Sequence, residues 1–226
     1  MSIKIDELLR SIRTDLRKSM DGVVSKSMRD KGLNYKLNFG VSVVRVQEIA
    51  KKYQADQTLA EALWEQGTRE LKILATLLYP VEAYAIADAQ KWVEEIPNQE
   101  IREQVCKNLF QKLDFADQLV QDWTASSNDE VRATGYWLFS RLILTKPDQC
   151  ASHNLSQIID RAIDDAQHES YFLRNSAQSA LKFMGRISKK AVTEILNKIS
   201  DFEIAEDSLK QEIFRSLNFE FSLLVE

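Results

Sequence analysis

The sequence predicts an all-α protein: a single curved domain stacked from antiparallel helix pairs. Three observations point there. Apolar residues recur at helical spacing along nearly the whole chain. Six Gly and three Pro among 226 residues are too few for the tight turns that an all-β fold needs. The breaks between periodic segments are short, so each helix must pack on its sequence neighbours. With 44% apolar residues, the chain can bury a continuous core without disulfide or metal staples.

The elements follow in order. Ile3, Ile5, Leu8, Leu9, Ile12 and Leu16 form one helical stripe flanked by Arg10, Arg13, Arg17 and Lys18. Residues 20–39 are more polar, with Gly22, Gly32 and several Ser, and read as a loop-containing connector. Gly40 opens a helix through Val44, Val46, Ile49 and Ala50 to Tyr53. Helices over Thr58–Glu65 and Thr68–Leu78 are separated by Gly67, with Thr68 as N-cap, and Pro80 halts the second. Val81–Ile96 is helical up to Pro97-Asn98, and Gln99–Leu113 and Asp114–Trp123 follow. The cluster Ser126 to Glu130 caps a helix that runs through Leu144, and Pro147-Asp148 breaks the chain again. Leu155–Ala166, Ser170–Met184, Lys189–Ser200 and Asp207–Leu217 complete the set. Apolar positions align about every 40 residues, the period of HEAT and armadillo repeats, so the expected architecture is a degenerate HEAT-like or armadillo-like α-solenoid. A closed helical bundle is the other arrangement this pattern allows.

Charge is unevenly placed. The whole chain carries a net charge of −4, yet residues 1–38 hold nine basic residues (Lys4, Arg10, Arg13, Arg17, Lys18, Lys26, Arg29, Lys31, Lys36) against five acidic ones. Such an arm is either a solvated helix or an anion-binding surface. The balance overall does not advertise nucleic acid. Cys106 and Cys150 have no metal-like neighbours and read as core or half-buried thiols in a reducing compartment. Residues 1–20 lack the apolar run of a signal peptide, and no stretch approaches the roughly eighteen apolar residues of a membrane span. A cytoplasmic location without membrane contact is the expectation.

Tests for chemistry return little. Six scattered Gly form neither nucleotide-binding fingerprint, no serine elbow is present, and His153 and His168 lack metal-ligand spacing. No cofactor and no metal is expected. The pairs Glu94-Glu95, Asp129-Glu130 and Asp164-Asp165 read as solvating charges, because adjacent helical residues diverge by about 100°. Trp64, Trp92, Trp123 and Trp137 sit among apolar neighbours and read as core, unless one lines a groove and stacks on a base.

Particular segments carry a resemblance. Asn38-Phe39-Gly40-Val41-Ser42-Val43 with Glu48-Ile49-Ala50-Lys51-Lys52-Tyr53, then Leu59-Ala60-Glu61-Ala62-Leu63-Trp64 with Glu70-Leu71-Lys72-Ile73-Leu74-Ala75, then Trp92-Val93-Glu94-Glu95-Ile96 resemble the bacterial DNA alkylation repair family. Its members are HEAT-like DNA glycosylases that remove alkylated purines. The resemblance spans about residues 38–186, leaving residues 1–38 as a basic arm and connector, 39–186 as family-like repeats and 187–226 as C-terminal helices. It implies a Trp-Asp-x-x-Asp pattern after Asn98, in which the Trp walls the lesion pocket and the final Asp stabilises the cationic sugar. Here the Trp position holds Gln99, the first Asp position Glu100 and the catalytic Asp position Glu103. The pocket arginine position aligns with Ala133, with Arg132 one residue away and rotated by about 100°. The second pocket Trp position holds Ser179. Stacking of a base on an aromatic wall is worth about 1–3 kcal/mol per contact, and a carboxylate loses effect when displaced by about an ångström. The resemblance therefore implies a family member without the standard excision site.

Three functions remain open at this level. A HEAT-like groove binds duplex DNA through its backbone with weak or no excision, and Arg174, Lys182, Arg186, Lys189 and Lys190 contact phosphates. Alternatively, Glu103 replaces the missing Asp and the protein is an active alkylpurine glycosylase, or it is a surface acid on its helix and nothing more. In the remaining reading an acidic solenoid holds a protein partner on its concave face and no DNA at all.

Overall fold

A computed structural model describes residues 3–33, 35–150 and 155–224. Among these residues the regular elements are fourteen α-helices and three short 3-10 turns, and extended backbone pairs only in an isolated parallel bridge between Leu37 and Thr68. No helix among them is long and apolar enough to cross a membrane. By internal contacts the chain divides into two compact units, Met1–Leu113 and Asp114–Glu226.

The first unit contains α1 (Ile3–Lys18), α2 (Gly22–Asp30), α3 (Val43–Ala50), α4 (Gln57–Trp64), α5 (Arg69–Leu78), α6 (Ile86–Glu94) and α7 (Gln99–Asn108). Ile5, Leu9, Ile12 and Leu16 of α1 are buried, at the spacing that places one residue per turn on one face, and α1 packs on α3 and α4. The polar connector is not all loop. Asp21 accepts hydrogen bonds from the Val23 and Val24 amides and so starts α2, a helix without an apolar stripe to betray it because Ser25 is its buried residue. Gly40 does not open a helix. It stands at φ +71°, and α3 begins at Val43 behind the Ser42 cap. Thr68 occupies the cap position of α5 as expected, but its hydroxyl makes no capping bond. The connector supplies that instead: the Arg69 amide donates to the Leu37 carbonyl (3.0 Å) and the Leu37 amide to the Gly67 carbonyl (3.2 Å).

Beyond Pro80 the expected long helix is broken into a 3-10 turn, Val81–Ala83, and α6, which restarts where the Ala85 amide donates to Asp88 (3.0 Å). Likewise α7 ends at Asn108 and a 3-10 turn, Phe110–Lys112, follows. Trp64 and Trp92 stack face to face with centroids 4.0 Å apart, and Tyr79 and Tyr84 meet Trp92 edge-on.

The second unit contains α8 (Ala116–Thr124), α9 (Asp129–Thr145), α10 (Pro147–Cys150), α11 (Leu155–Asp165), α12 (Tyr171–Gly185), α13 (Lys189–Lys198) and α14 (Ser208–Ser222). Pro147, read as a break, takes the first position of the single turn α10, where a missing amide hydrogen costs nothing. Consecutive helices joined by short links pack together: α4 on α5, α8 on α9, α11 on α12 and α12 on α13. Links this short turn each partner back along the last, which is the helix-pair repeat that the sequence predicts.

Gly40 offers a test of the connector. A Cβ there would lie 2.1 Å from the Asp21 carbonyl oxygen, whereas Gly32, also at positive φ (+83°), has nothing within 4 Å. Gly40→Ala should therefore cost about 3 kcal/mol, and Gly32→Ala about 1 kcal/mol from backbone strain alone. Urea denaturation of both variants at neutral pH measures the difference.

Candidate functional site

Helix α7 carries the positions that the resemblance singles out. Asn98 caps it by accepting from the Ile101 amide (3.1 Å), while Ile101, Val105 and Cys106 face the core. Gln99 and Glu103 lie one turn apart, both half-buried, and Gln99 Nε2 donates to Glu103 Oε1 at 3.1 Å. Arg102 Nη1 in turn donates to Gln99 Oε1 at 2.6 Å. The amide at the aromatic position is thus held between an arginine and the carboxylate at the catalytic position.

Glu100 faces elsewhere. Arg69 Nε reaches both of its oxygens (3.0 and 2.9 Å), Arg69 Nη2 reaches Oε1 (2.6 Å), and the Tyr35 hydroxyl donates to Oε2 (2.6 Å). Arg69 Nη1 donates to the Val41 carbonyl (2.7 Å) and to Glu70 Oε1 (3.1 Å). Glu70 then accepts from the amides of Phe39 (3.0 Å) and Val41 (3.2 Å). Burial opposes ionisation of Glu100, but the Arg69 and Tyr35 hydrogen bonds and the Arg69 charge together hold its pKa below the usual carboxylate value. Burial, with the Glu100 carboxylate, raises the Tyr35 phenol far above its ordinary value, so it stays protonated. Sequence reasoning assigned no role to Arg69 or Tyr35. The available signal was that Arg69 and Glu70 lie one turn before the buried Ile73 and Leu74, a face on which a charge must find a partner.

In the second unit, α9 begins behind the Asn128 cap. Ala133 is buried. Arg132 is tied on every nitrogen: Nε to Asp165 (3.1 Å), Nη1 to the Ser126 carbonyl (2.9 Å) and Nη2 to Asp129 (2.8 Å). Tyr136 donates to the same Asp165 oxygen at 2.8 Å, and burial together with that carboxylate raises its pKa strongly. The reading of Asp165 as a solvating charge is corrected by its burial, whereas Asp129 keeps 42% of its side chain exposed while pairing with Arg132. Asp165 shares the buried face of Ile158 and Ala162 and is itself buried, so it carries partners rather than water. Arg132 and Asp165, with Arg161, Asp164, Thr124 and Ala125, line a cleft of about 340 Å³.

Ser179 is half-buried on α12 between the buried Ser176, Ala177 and Ala180, and α12 packs on α9. Gln99 and Glu103 belong to the first unit, and Arg132, Ala133 and Ser179 to the second. Trp64, Trp92 and Trp123 are buried and internal, so none of the three offers a face to a base. Trp137 is half-buried, with its indole nitrogen enclosed and without a hydrogen-bond partner. His168 Nδ1 accepts from the Ser170 amide at 3.1 Å, and His153 lies outside the described residues.

The five cations proposed for phosphate contact lie on α12, α13 and the link between them. Arg174 Nη1 donates to the His168 carbonyl (3.0 Å). Arg186 pairs with Glu220 (2.8 Å) and lies over the Phe183 ring. Lys182 is half-buried, while Lys189 and Lys190 are exposed in the first turn of α13. Arg186 and Lys189 also line a pocket of about 580 Å³ with Val192 and Leu224.

Comparison with known proteins adds two findings. The family model for DNA alkylation repair enzymes matches residues 12–215, reaching further toward both ends than the quoted motifs. The fold is also similar to a solved structure from a new family of proteins related to the HEAT-like repeat DNA glycosylases with affinity for branched DNA structures, with a TM-score of 0.73 at 18% identity over 82% of each chain. At that identity the likeness concerns the fold, which is HEAT-like. No curated protein sequence matched the chain.

The Arg69–Glu100 pair makes a prediction in both stability and pH. Glu100→Gln leaves the Arg69 charge buried without its main partner and should cost about 3–5 kcal/mol. Because the folded-state pKa of Glu100 is depressed, its contribution is complete above the ordinary carboxylate value of 4.5 and is lost as pH falls through the lower folded value. Unfolding free energies measured from pH 7 down to about pH 3 should fall less steeply below pH 4.5 in Glu100→Gln than in wild type.

Proposed function

Since the chain belongs to the DNA alkylation repair enzyme family, we propose that it binds duplex DNA through the phosphate backbone, extends that binding to branched DNA, and excises alkylated bases weakly or not at all. The observation that carries this reading is the bond between Gln99 and Glu103. An aromatic wall is replaced by an amide, and that amide occupies the carboxylate that would otherwise meet a developing positive charge. Ser179 supplies no second wall. Arg132, the nearest arginine to the pocket position, is committed to Asp165, Asp129 and the Ser126 carbonyl. Electrostatic stabilisation requires donors and charges aimed at the reacting centre beforehand, and here they are aimed at each other.

Binding is assigned to Lys182, Lys189 and Lys190, with Arg174 and Arg186 as partly engaged neighbours, and to the basic arm. Phosphate contacts carry no sequence information, so affinity is insensitive to sequence. A chain with net charge −4 also repels DNA at long range, which keeps affinity modest. One observation favours the alternative of an active glycosylase: Glu103 preserves a half-buried carboxylate on the expected helix, and carboxylates do serve glycosidic cleavage.

Two measurements decide. Anisotropy on a labelled duplex should show affinity falling with salt at a logarithmic slope of about −3 to −5, as three to five phosphate contacts require. Wild type and Glu103→Gln, incubated with methylated duplex, should release equally little free base. Efficient release by wild type that Glu103→Gln abolishes would overturn the weak-excision reading and establish the enzyme.

A further inference from the structure

The corner between α1 and α2 presents apolar side chains that the fold does not use. Met20, Val23 and Val24 are 60%, 80% and 38% exposed. In nine residues α2 buries Ser25, on the side opposite Val23. Propensity does not explain two β-branched residues in succession at the start of a helix, where their side-chain rotation is restricted. Burial does not explain Val23 either, because most of its apolar area stays in water, as does more than a third of Val24's. Single exposed hydrophobics are ordinary, but three within five residues at one corner, with cations before and after them, offer a binding surface.

The flanking residues are basic. Arg17 and Lys18 end α1, Lys26 lies within α2 and Lys31 closes it, and all four are exposed. Of the neighbouring acids, Asp21 is engaged with the Val23 and Val24 amides and Asp15 with Lys52, leaving Asp30 as the acid at the far end of α2. The corner is also firmly mounted. The Asp21 amide donates to the Phe39 carbonyl at 2.9 Å, Ser25 Oγ donates to the Asn38 carbonyl at 3.1 Å, and Gly40 lets the Asp21 carbonyl sit where no Cβ would fit. A helix held along its backbone edge projects its outer side chains without having to order them first.

We propose that this corner is a wedge for branched DNA, with Met20, Val23 and Val24 contacting unstacked bases and Arg17, Lys18, Lys26 and Lys31 contacting the flanking phosphates. Inserting apolar side chains into a continuous duplex requires breaking a base stack. At a branch point the terminal base pairs are already partly unstacked, so the same contact forms without that cost. The corner therefore discriminates branch points from continuous duplex, while its cations bind both. A lipid surface would also accept an apolar face rimmed with cations, but interfacial anchoring scales with apolar area. Three side chains match the size of a wedge at a base step better than that of a membrane anchor. The proposal rests on the DNA-binding reading above and adds the element that selects the DNA structure.

The test uses the full chain with a labelled three-way junction and a linear duplex of equal length. Wild type should bind the junction more tightly. Val23→Ser with Val24→Ser should lose about tenfold on the junction and leave the linear duplex unchanged. Lys26→Ala with Lys31→Ala should weaken both DNAs alike and lower the salt slope by about two. A valine double variant that binds junction and duplex as wild type does would overturn the wedge while leaving DNA binding intact. Wild type that binds neither DNA, even at low salt, would overturn the wedge and the DNA-binding reading together. Wild type that floats with phosphatidylserine vesicles, with the valine variant losing only that property, would assign the corner to a membrane instead and overturn the wedge.

Discussion

Arg69 brings a full positive charge into the core of the first unit with 2% of its side chain exposed. Such a charge is tolerated only if its hydrogen-bonding capacity is met almost completely. It is met by two carboxylates and a backbone carbonyl: Glu100 on α7, Glu70 beside it on α5, and Val41 in the connector. Glu70 in turn answers the amides of Phe39 and Val41. One guanidinium therefore joins two helices to a segment that has no secondary structure of its own. With residues 37–41 fixed in this way, the carbonyls of Asn38 and Phe39 are available to hold α2, and Gly40 must adopt a positive φ between two occupied amides. The exposed corner of α2 depends on a charge buried well beneath it.

A similar constraint operates in the second unit, with Arg132 as its centre. Its guanidinium joins α9 to the end of α11 through Asp165 and to the preceding loop through the Ser126 carbonyl, and Tyr136 adds a second donor to Asp165. Both networks use side chains at or beside positions to which the family resemblance attaches substrate chemistry: Glu100 at the first acid and Arg132 next to the arginine. Architecture and catalysis draw on the same residue types, because each needs a carboxylate and a guanidinium held in fixed geometry. The aromatic residues follow the same logic. Trp64 and Trp92 present their faces to each other, and Tyr79 and Tyr84 close the edges, so their stacking surface is already satisfied within the core.

Much of this molecule was legible before folding was considered. The apolar period dictated helices in nearly every place where they occur, because helical spacing is a property of neighbouring residues and needs no knowledge of the rest of the chain. Pro80, Pro97 and the Ser126–Glu130 cluster marked breaks for the same local reason, and the motifs around Trp64 and Trp92 carried the family resemblance. Local pattern also misled. Residues 20–39 lack an apolar stripe and read as loop, yet a single aspartate cap starts α2 there. Gly40 read as a helix start because glycine signals a change of conformation without saying which one.

What tertiary structure alone decided is the partner of each charge. Arg69 and Glu100 are 31 residues apart and Arg132 and Asp165 are 33 apart, separations over which no sequence pattern specifies contact. In the sequence, Asp164-Asp165 looks like any solvated acidic pair, and Glu100 looks like one more acid near a helix start. Only the packing of α5 on α7, and of α12 on both α9 and α11, determines which of those carboxylates loses its water. Once one does, the cost of an unpaired buried charge makes a partner obligatory. Periodicity determined the helices; desolvation, which exists only after the helices have met, determined the networks that hold them.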